Sequence, residues 1–210
     1  MGRRTLELGR TVLRAGFVAF VLAGVWFRVA LRRGSREQEI YRAVVRLGPT
    51  AMKLAQVAST RPDLVPASVS RRLESLQEAA PRFSFDEARK VVEHELGAPI
   101  DALFRVFPED PIASASLCQV YFATLPDGSD VAVKVQRPGI EPKIVRDVRI
   151  LRALAQLVAL LRPSLRNLRL ADAAAEFGRW TLRELDFRLE GENADEFRRN
   201  FTAWPDIQLP

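Results

Sequence analysis

The sequence predicts an α+β protein in which helices surround a short antiparallel sheet. Helical patterns, bounded by Gly, Pro or capping residues, occupy most of the chain before residue 110 and after residue 139. Between them, two segments rich in β-branched and aromatic residues, Ser116–Leu125 and Asp130–Gln136, flank the turn sequence PDGS at 126–129. This order of elements predicts one hairpin within an otherwise helical chain.

Composition and charge limit the functions that the chain can have. Of its 210 residues 48% are hydrophobic and 28% charged, which is ordinary for a globular protein. A single cysteine, Cys118, excludes an intrachain disulfide, and with His94 as the one histidine we expect no metal site. Residues 1–46 carry a net charge of +7 and the remainder −1. We therefore expect no nucleic-acid partner, and a membrane lipid surface as the partner of the basic segment.

The first predicted helix contains an uncharged apolar run at residues 15–27. As a helix it is about 20 Å long, against about 30 Å for a bilayer core. Extension to residues 11–31 reaches about 31 Å but includes Arg14 and Arg28, which are costly at mid-membrane. Three interpretations remain open: a helix that packs in the core or touches a membrane surface, a membrane span, and a signal peptide, although no cleavage site follows.

Further helices are predicted on both sides of the hairpin. The clearest start is the capping box at Ser84 and Glu87, which opens a helix that ends at Gly97. After the hairpin we expect a helix to Leu161 and then one long helix over 170–201, with residues 202–210 beginning another strand. The remaining predicted helices are Ser35–Leu47, Thr50–Thr60 and Ala67–Gln77.

Lys134 is the residue of the hairpin that most needs a chemical explanation. It lies within the apolar strand VAVKV, where a buried ammonium costs several kcal/mol unless it is paired. It is either a lysine that extends to solvent at the sheet edge or one that binds an anion beside a carboxylate. The loop at 111–116, with its small residues, could bring backbone N–H groups close to a phosphate. Spacing alone does not choose the carboxylate among Glu184, Asp186, Glu190 and Glu192.

Four sequence blocks, which follow one another along the chain as they do in the family, resemble the UbiB/ADCK family of atypical kinase-like proteins. LGPTAMKLAQ (47–56) is similar to its KxGQ motif and PIASASLCQVYFA (111–123) to its alanine-rich loop. VAVKVQRPGI (131–140) is similar to its nucleotide-lysine strand, and ELDFRLEGENADEF (184–197) to its ExD motif and the glutamate helix that follows. The resemblance covers about residues 36–201. It implies a protein-kinase-like N-lobe preceded by a helical extension.

The resemblance implies a role for each matching residue. Lys134 would contact the phosphates of ATP or ADP, and Glu190 would be its ion-pair partner. Ala55 replaces the family's Gly and Ser114 its usual Ala, two departures that bear on the packing of the extension and on the nucleotide preference of the loop. The other implied site residues are Lys53 and Gln56 of KxGQ, Glu184 and Asp186 of ExD, and Ala113, Ser114, Ala115 and Ser116 of the loop.

The resemblance also implies an organisation and an activity. We expect an N-terminal helix over 1–34, a KxGQ-type extension over 35–110 and an N-lobe over 111–210. The family's catalytic Asp-Asn loop and metal-binding Asp-Phe-Gly lie in a C-terminal lobe, so we interpret the chain as a truncated member. The intact protein would be a Mg²⁺-dependent, ATP-binding transferase or ATPase of ubiquinone or isoprenoid-lipid biosynthesis, cytoplasmic and held at a membrane. The alternative is a non-catalytic membrane-surface or regulatory module that pairs with a full-length homologue.

Overall fold

A computed structural model describes residues 2–31, 35–61, 65–74 and 80–202, without the side chains of residues 2–6 and 74. It confirms the predicted class, a small antiparallel sheet among helices. The helices before the sheet are α1 (Gly2–Ala30), α2 (Arg36–Leu47), α3 (Pro49–Ser59), α4 (Ala67–Glu74), α5 (Phe85–Leu96) and α6 (Ile100–Leu103). The sheet comprises β1 (Ala113–Ser114), β2 (Cys118–Thr124) and β3 (Asp130–Gln136), and α7 (Ile140–Leu161), a 3₁₀ helix (Pro163–Leu168), α8 (Leu170–Arg183) and α9 (Phe187–Asn200) follow.

Helices α2, α3 and α4 share one core, and their boundaries follow local sequence signals. Ser35 caps α2 by accepting a hydrogen bond from the Gln38 amide. Gly48 has φ +85°, a conformation that suits glycine, and it lets the chain turn directly from α2 into α3. The predicted end of α4 at Gln77 lies outside the described residues. The shared core is built from Met52, Ala55, Val69, Leu73 and Ala80.

Helix α5 packs against the sheet and forms the second core. Its predicted capping box is present, because the Glu87 amide donates to Ser84 Oγ while the Glu87 carboxylate accepts from the Ser84 amide. Tyr121 is fully buried beneath it, and its hydroxyl donates to Gln119 Oε1 at 2.9 Å. This core holds the hairpin in place, and its buried members are Ala88, Val92, Ile100, Phe104, Tyr121, Ala123 and Val135.

The sheet has the order β1-β2-β3, and β2 and β3 pair antiparallel with Val120 opposite Lys134. Val135 is buried against α5, whereas the Lys134 side chain is 38% exposed. Lys134 therefore lies on the face of β3 that the core leaves open. Successive side chains of a strand point to opposite faces, and only one face of β3 is covered by the core.

The single long helix expected over 170–201 is wrong, because the chain breaks between α8 and α9. Asp186 caps α9 by accepting a hydrogen bond from the Arg188 amide, and Gln136 Nε2 donates to the Leu185 carbonyl at 3.0 Å. Asp186 therefore precedes α9 and shares no helix face with Glu190. None of the residues of α9, all of which the structure describes, is buried. The strand expected from residue 202 lies almost entirely outside the described residues.

Helix α1 is bound to the rest of the protein by its two interior arginines. Arg14 donates to both carboxylate oxygens of Asp147 in α7, at 2.7 and 2.9 Å, and Arg28 donates to Glu39 of α2 at 2.5 Å. Burial acts to raise the pKa of Glu39, but its ion pairs with Arg28 and Arg42 outweigh this and hold the pKa below its ordinary value. The two arginines that make a membrane span costly are therefore ion-paired within the fold.

Among the described residues, one helical segment, Glu7–Ala30, is long and apolar enough to cross a membrane. Core helices of soluble proteins and signal sequences can have the same length and composition.

Candidate functional site

A cavity of about 610 Å³ opens between α3, the hairpin and the junction of α8 and α9. Residues far apart in the sequence meet there because α3 packs against α7, and α7 in turn packs against α8. The sequence-predicted residues that line it are Lys53, Gln56, Ala115, Ser116, Lys134, Glu184, Asp186 and Glu190.

Lys134 and Glu190 form a bidentate ion pair in this cavity. The Lys134 ammonium donates to both oxygens of the Glu190 carboxylate, at 2.6 and 2.9 Å, across 56 positions of sequence. The ring of Phe187 lies 4.5 Å from the same nitrogen and adds a cation–π contact. The chain thus places β3 against the start of α9 and brings Lys134 to Glu190, the partner that the family resemblance implied and that spacing alone left open.

Lys53 forms a second ion pair that lines the same cavity. Its ammonium donates to Glu184 Oε1 at 2.7 Å and lies 5.5 Å from the centre of the Trp180 ring. The other carboxylate oxygen, Glu184 Oε2, is buried without a hydrogen-bond partner among the described residues. A buried, unsatisfied carboxylate oxygen is costly, so it is an acceptor that a ligand could satisfy.

The departure at Ala55 does not fall on the cavity. Ala55 is buried with Met52 in the core of α2, α3 and α4, whereas Gln56 lines the cavity. The extra methyl group, relative to the glycine of the resembling family, is therefore taken up by the helical core.

Two of the four loop residues that the resemblance implies line the cavity. Ala115 and Ser116 line the cavity, whereas Ala113 and Ser114 lie in β1, paired with β2, and are absent from the lining. The Ala115 amide donates to the Cys118 carbonyl at 2.8 Å, so this N–H is already engaged within the loop. The expected row of phosphate-binding amides is therefore shorter than the sequence suggested.

Sequence reasoning missed Arg137, which fixes this loop. Its guanidinium donates to the carbonyls of Ser116 at 3.2 Å, Ala115 at 3.3 Å and Pro81 at 2.7 Å. Burial lowers the pKa of Arg137 from its ordinary value. The sequence shows that Arg137 directly follows β3. No local pattern shows that its side chain binds the carbonyls of the loop at 111–116. Trp180 and Phe187, which contact the two lysines, were missed for the same reason.

Cys118 forms part of the cavity wall, and burial raises the pKa of its thiol. The side chain is buried in the structure. Because the thiolate is the reactive form, we expect iodoacetamide to modify Cys118 slowly in the folded chain and rapidly in urea. Equal rates in both conditions, measured by intact-mass spectrometry, would contradict this placement.

The fold and the cavity define a class of protein. A small antiparallel sheet whose strand lysine pairs with a glutamate on a later helix is the arrangement of a protein-kinase N-lobe, here preceded by helices. A family model described as the ABC1 atypical kinase-like domain matches residues 75–210. The chain belongs to this family of atypical kinase-like proteins.

Curated relatives carry the UbiB name. The chain is 38% identical over 191 residues to "Probable protein kinase UbiB" of Marinobacter nauticus, covering 91% of this chain and 35% of the relative. It is 40% identical over 184 residues to the protein of the same name in Aeromonas hydrophila, covering 87% and 33%. The chain thus spans about a third of the length of these relatives.

The chain is also similar to a solved structure, that of Rv3197 with erythromycin from Mycobacterium tuberculosis. The TM-score is 0.49 at 26% sequence identity, and the match covers 91% of this chain and 47% of the other.

Proposed function

We propose that the cavity binds the phosphates of ATP or ADP, with Lys134 as the phosphate contact and Glu190 as the residue that positions it. The observation that carries the proposal is the bidentate Lys134–Glu190 pair in a cavity of about 610 Å³. Cavities of a few hundred to about 1,000 Å³ take ligands of nucleotide size. Membership of an atypical kinase-like family supports the same ligand.

The residues present fit a nucleotide better than they fit a metal ion. Three basic side chains face the cavity, two of them ion-paired lysines, and an ammonium is a compact charge suited to phosphate. The small residues Ala115 and Ser116 leave room for phosphate oxygens nearby. Among the described residues no three His, Cys, Asp or Glu side chains could hold a metal ion together.

We propose that the cavity is one side of a nucleotide cleft that a C-terminal lobe completes in a longer protein. The relatives, of which this chain spans about a third, support this. In the kinase mechanism the catalytic base and the metal ligands are supplied by that lobe. The intact protein would be an atypical kinase or ATPase that supports ubiquinone or isoprenoid-lipid biosynthesis, with a quinone or isoprenoid lipid as a partner.

A second candidate function is a non-catalytic regulatory module that pairs with a full-length homologue. It is favoured by the exposed aromatic Phe197 on α9, a helix without a buried residue. The reading frame downstream of Pro210 separates the candidates: a continuing frame for a C-terminal lobe supports the longer enzyme, and a stop codon supports the module. Co-elution with a full-length homologue would add support for the module.

For the 210-residue chain we expect ATP to bind weakly, with a dissociation constant on the order of 1 mM, because one lobe supplies only part of the contacts. Lys134→Met should abolish this binding, since it removes the proposed phosphate contact. The matched control is Lys90→Met, which removes an exposed lysine of α5 that is outside the cavity lining.

NMR chemical-shift titration measures such weak binding in all three proteins. Equal binding by the Lys134→Met variant would exclude Lys134 as the phosphate contact. A micromolar dissociation constant for the chain itself, measured by calorimetry, would contradict the half-cleft proposal while leaving nucleotide binding intact.

We also propose that residues 1–34 hold the protein at the cytoplasmic face of a membrane. The net charge of +7 in residues 1–46 and the exposed apolar side chains of α1 support this location.

A further inference from the structure

Helix α1 has two apolar faces, and the protein covers only one of them. Val21 is buried, and the inward side is completed by the two paired arginines. On the outward side Leu13 is 77% exposed, Phe20 72% and Phe27 57%, at intervals of seven residues, and Trp26 is 73% exposed. Clusters of large, exposed apolar side chains usually mark a surface that another molecule covers.

The inward face of α1 is held against the protein by its paired arginines. Arg14 is bound by Asp147 and by the Leu47 carbonyl at 2.5 Å, with both charged side chains largely shielded from solvent. A helix that crosses a bilayer along its full length would bring these groups, and the attached α2 and α7, into hydrocarbon. Each charge at the bilayer centre costs several kcal/mol. The ion pairs on the inward face therefore disfavour a transmembrane orientation of α1.

We propose that α1 lies parallel to an anionic membrane surface, with its outward face at the boundary of headgroups and acyl chains. An amphipathic helix in this position buries its apolar face roughly 5–10 Å deep. The exposed Arg10, with Arg3, Arg4, Arg32 and Arg33 at the two ends of the helix in the sequence, supplies charges for anionic headgroups. This inference rests on the proposed membrane location and specifies how that location is achieved.

Charge decides between a lipid surface and a second copy of the chain. The outward face also carries Gly9, Gly16 and Ala23 at seven-residue spacing, and a Cβ added at either glycine would meet nothing within 4 Å. Small residues allow two helices to approach closely. However, pairing two copies would bring two segments of net charge +7 together, whereas an anionic surface complements them.

The test uses single tryptophans as depth markers in the full 210-residue chain. The native tryptophans are removed by Trp26→Phe, Trp180→Phe and Trp204→Phe. One tryptophan is then introduced at a time, by Leu13→Trp, Phe20→Trp or Phe27→Trp. Each protein is mixed with vesicles of phosphatidylcholine alone or phosphatidylcholine with phosphatidylglycerol, made with lipids brominated at shallow or deep acyl positions. Binding is measured by flotation, and depth by fluorescence quenching.

We expect flotation only with phosphatidylglycerol, and strongest quenching of all three positions by the same shallow bromines. A middle position that is quenched most by deep bromines would indicate a span and overturn the parallel orientation alone. Absence of flotation would overturn the membrane location as well. A concentration-dependent dimer in ultracentrifugation, without quenching in vesicles, would assign the face to a second copy.

Three surface variants test the outward face and the basic charges of the N-terminal segment. Phe20→Asp should weaken vesicle binding at least about tenfold, because it removes a large apolar contact. Phe197→Asp, which changes another exposed aromatic residue, 54% exposed on α9 against 72% for Phe20, should leave binding unchanged. Arg10→Gln should weaken binding to the phosphatidylglycerol vesicles about fivefold at low salt. Equal effects of the two Phe variants would contradict a specific role for the outward face of α1.

Discussion

Replacing Asp147 with alanine is expected to lower the free energy of unfolding by about 3 kcal/mol, since it leaves a largely buried arginine without its partner. Arg14 and Asp147 side chains are only 16% and 9% exposed. Asp147 also offsets the effect of burial on the half-buried Lys143, whose pKa is lowered by that burial and by Arg14. Two cations would therefore lose compensation at once. Urea unfolding followed by circular dichroism measures the change.

Asp172→Ala is the matched control for this prediction. Asp172 accepts from Arg169 at 2.8 Å, as close as the Arg14 contact, but these side chains are 65% and 78% exposed. Exposed pairs contribute about 0–1 kcal/mol, so little change is expected. A second variant, Arg14→Met with Asp147→Leu, should recover most of the lost stability, because it replaces the pair with apolar groups. Equal small losses for both alanine variants would show that the pair does not anchor α1.

Gly178→Ala is expected to destabilise the protein by about 1–3 kcal/mol, because it overpacks the contact between α7 and α8. A Cβ at position 178 would lie 2.7 Å from Val148 Cγ1, closer than side chains tolerate. Helix α8 leads directly to Glu184, so splaying the two helices would also move the carboxylate that Lys53 contacts. Thermal unfolding gives the stability, and the Lys53 side-chain NMR signal reports on the ion pair.

The control for this variant is Gly191→Ala, where an added Cβ meets nothing within 4 Å in the exposed helix α9. Alanine is favoured over glycine in a helix, so this variant should gain up to about 1 kcal/mol. Adding Val148→Ala to Gly178→Ala should restore part of the lost stability, since it removes the clashing methyl groups. A destabilised Gly191→Ala, or no rescue by Val148→Ala, would point to a cause other than the close approach.

Elements with local signals were predicted well. The capping box at Ser84 and Glu87, the turn between β2 and β3, and the end of α7 at Leu161 all appear where the sequence placed them. Each depends on groups a few residues apart, such as a side chain that binds a nearby amide. The break between α8 and α9 was missed although Asp186 caps α9 through the nearby Arg188 amide. The same break also involves Gln136 of β3, which binds the Leu185 carbonyl 49 positions away and has no local signal.

By itself the sequence determined the α+β class, the hairpin that carries Lys134, the basic N-terminal segment and the four ordered blocks that indicated the family. The family resemblance already implied the pair of Lys134 with Glu190, and the structure places the two in contact. Only the tertiary structure revealed the pairs of Glu184 with Lys53 and of Asp147 with Arg14. These partners lie 56 to 133 positions apart. Spacing fixes which residues share a strand or helix face, whereas contacts between elements depend on how the cores bring those faces together.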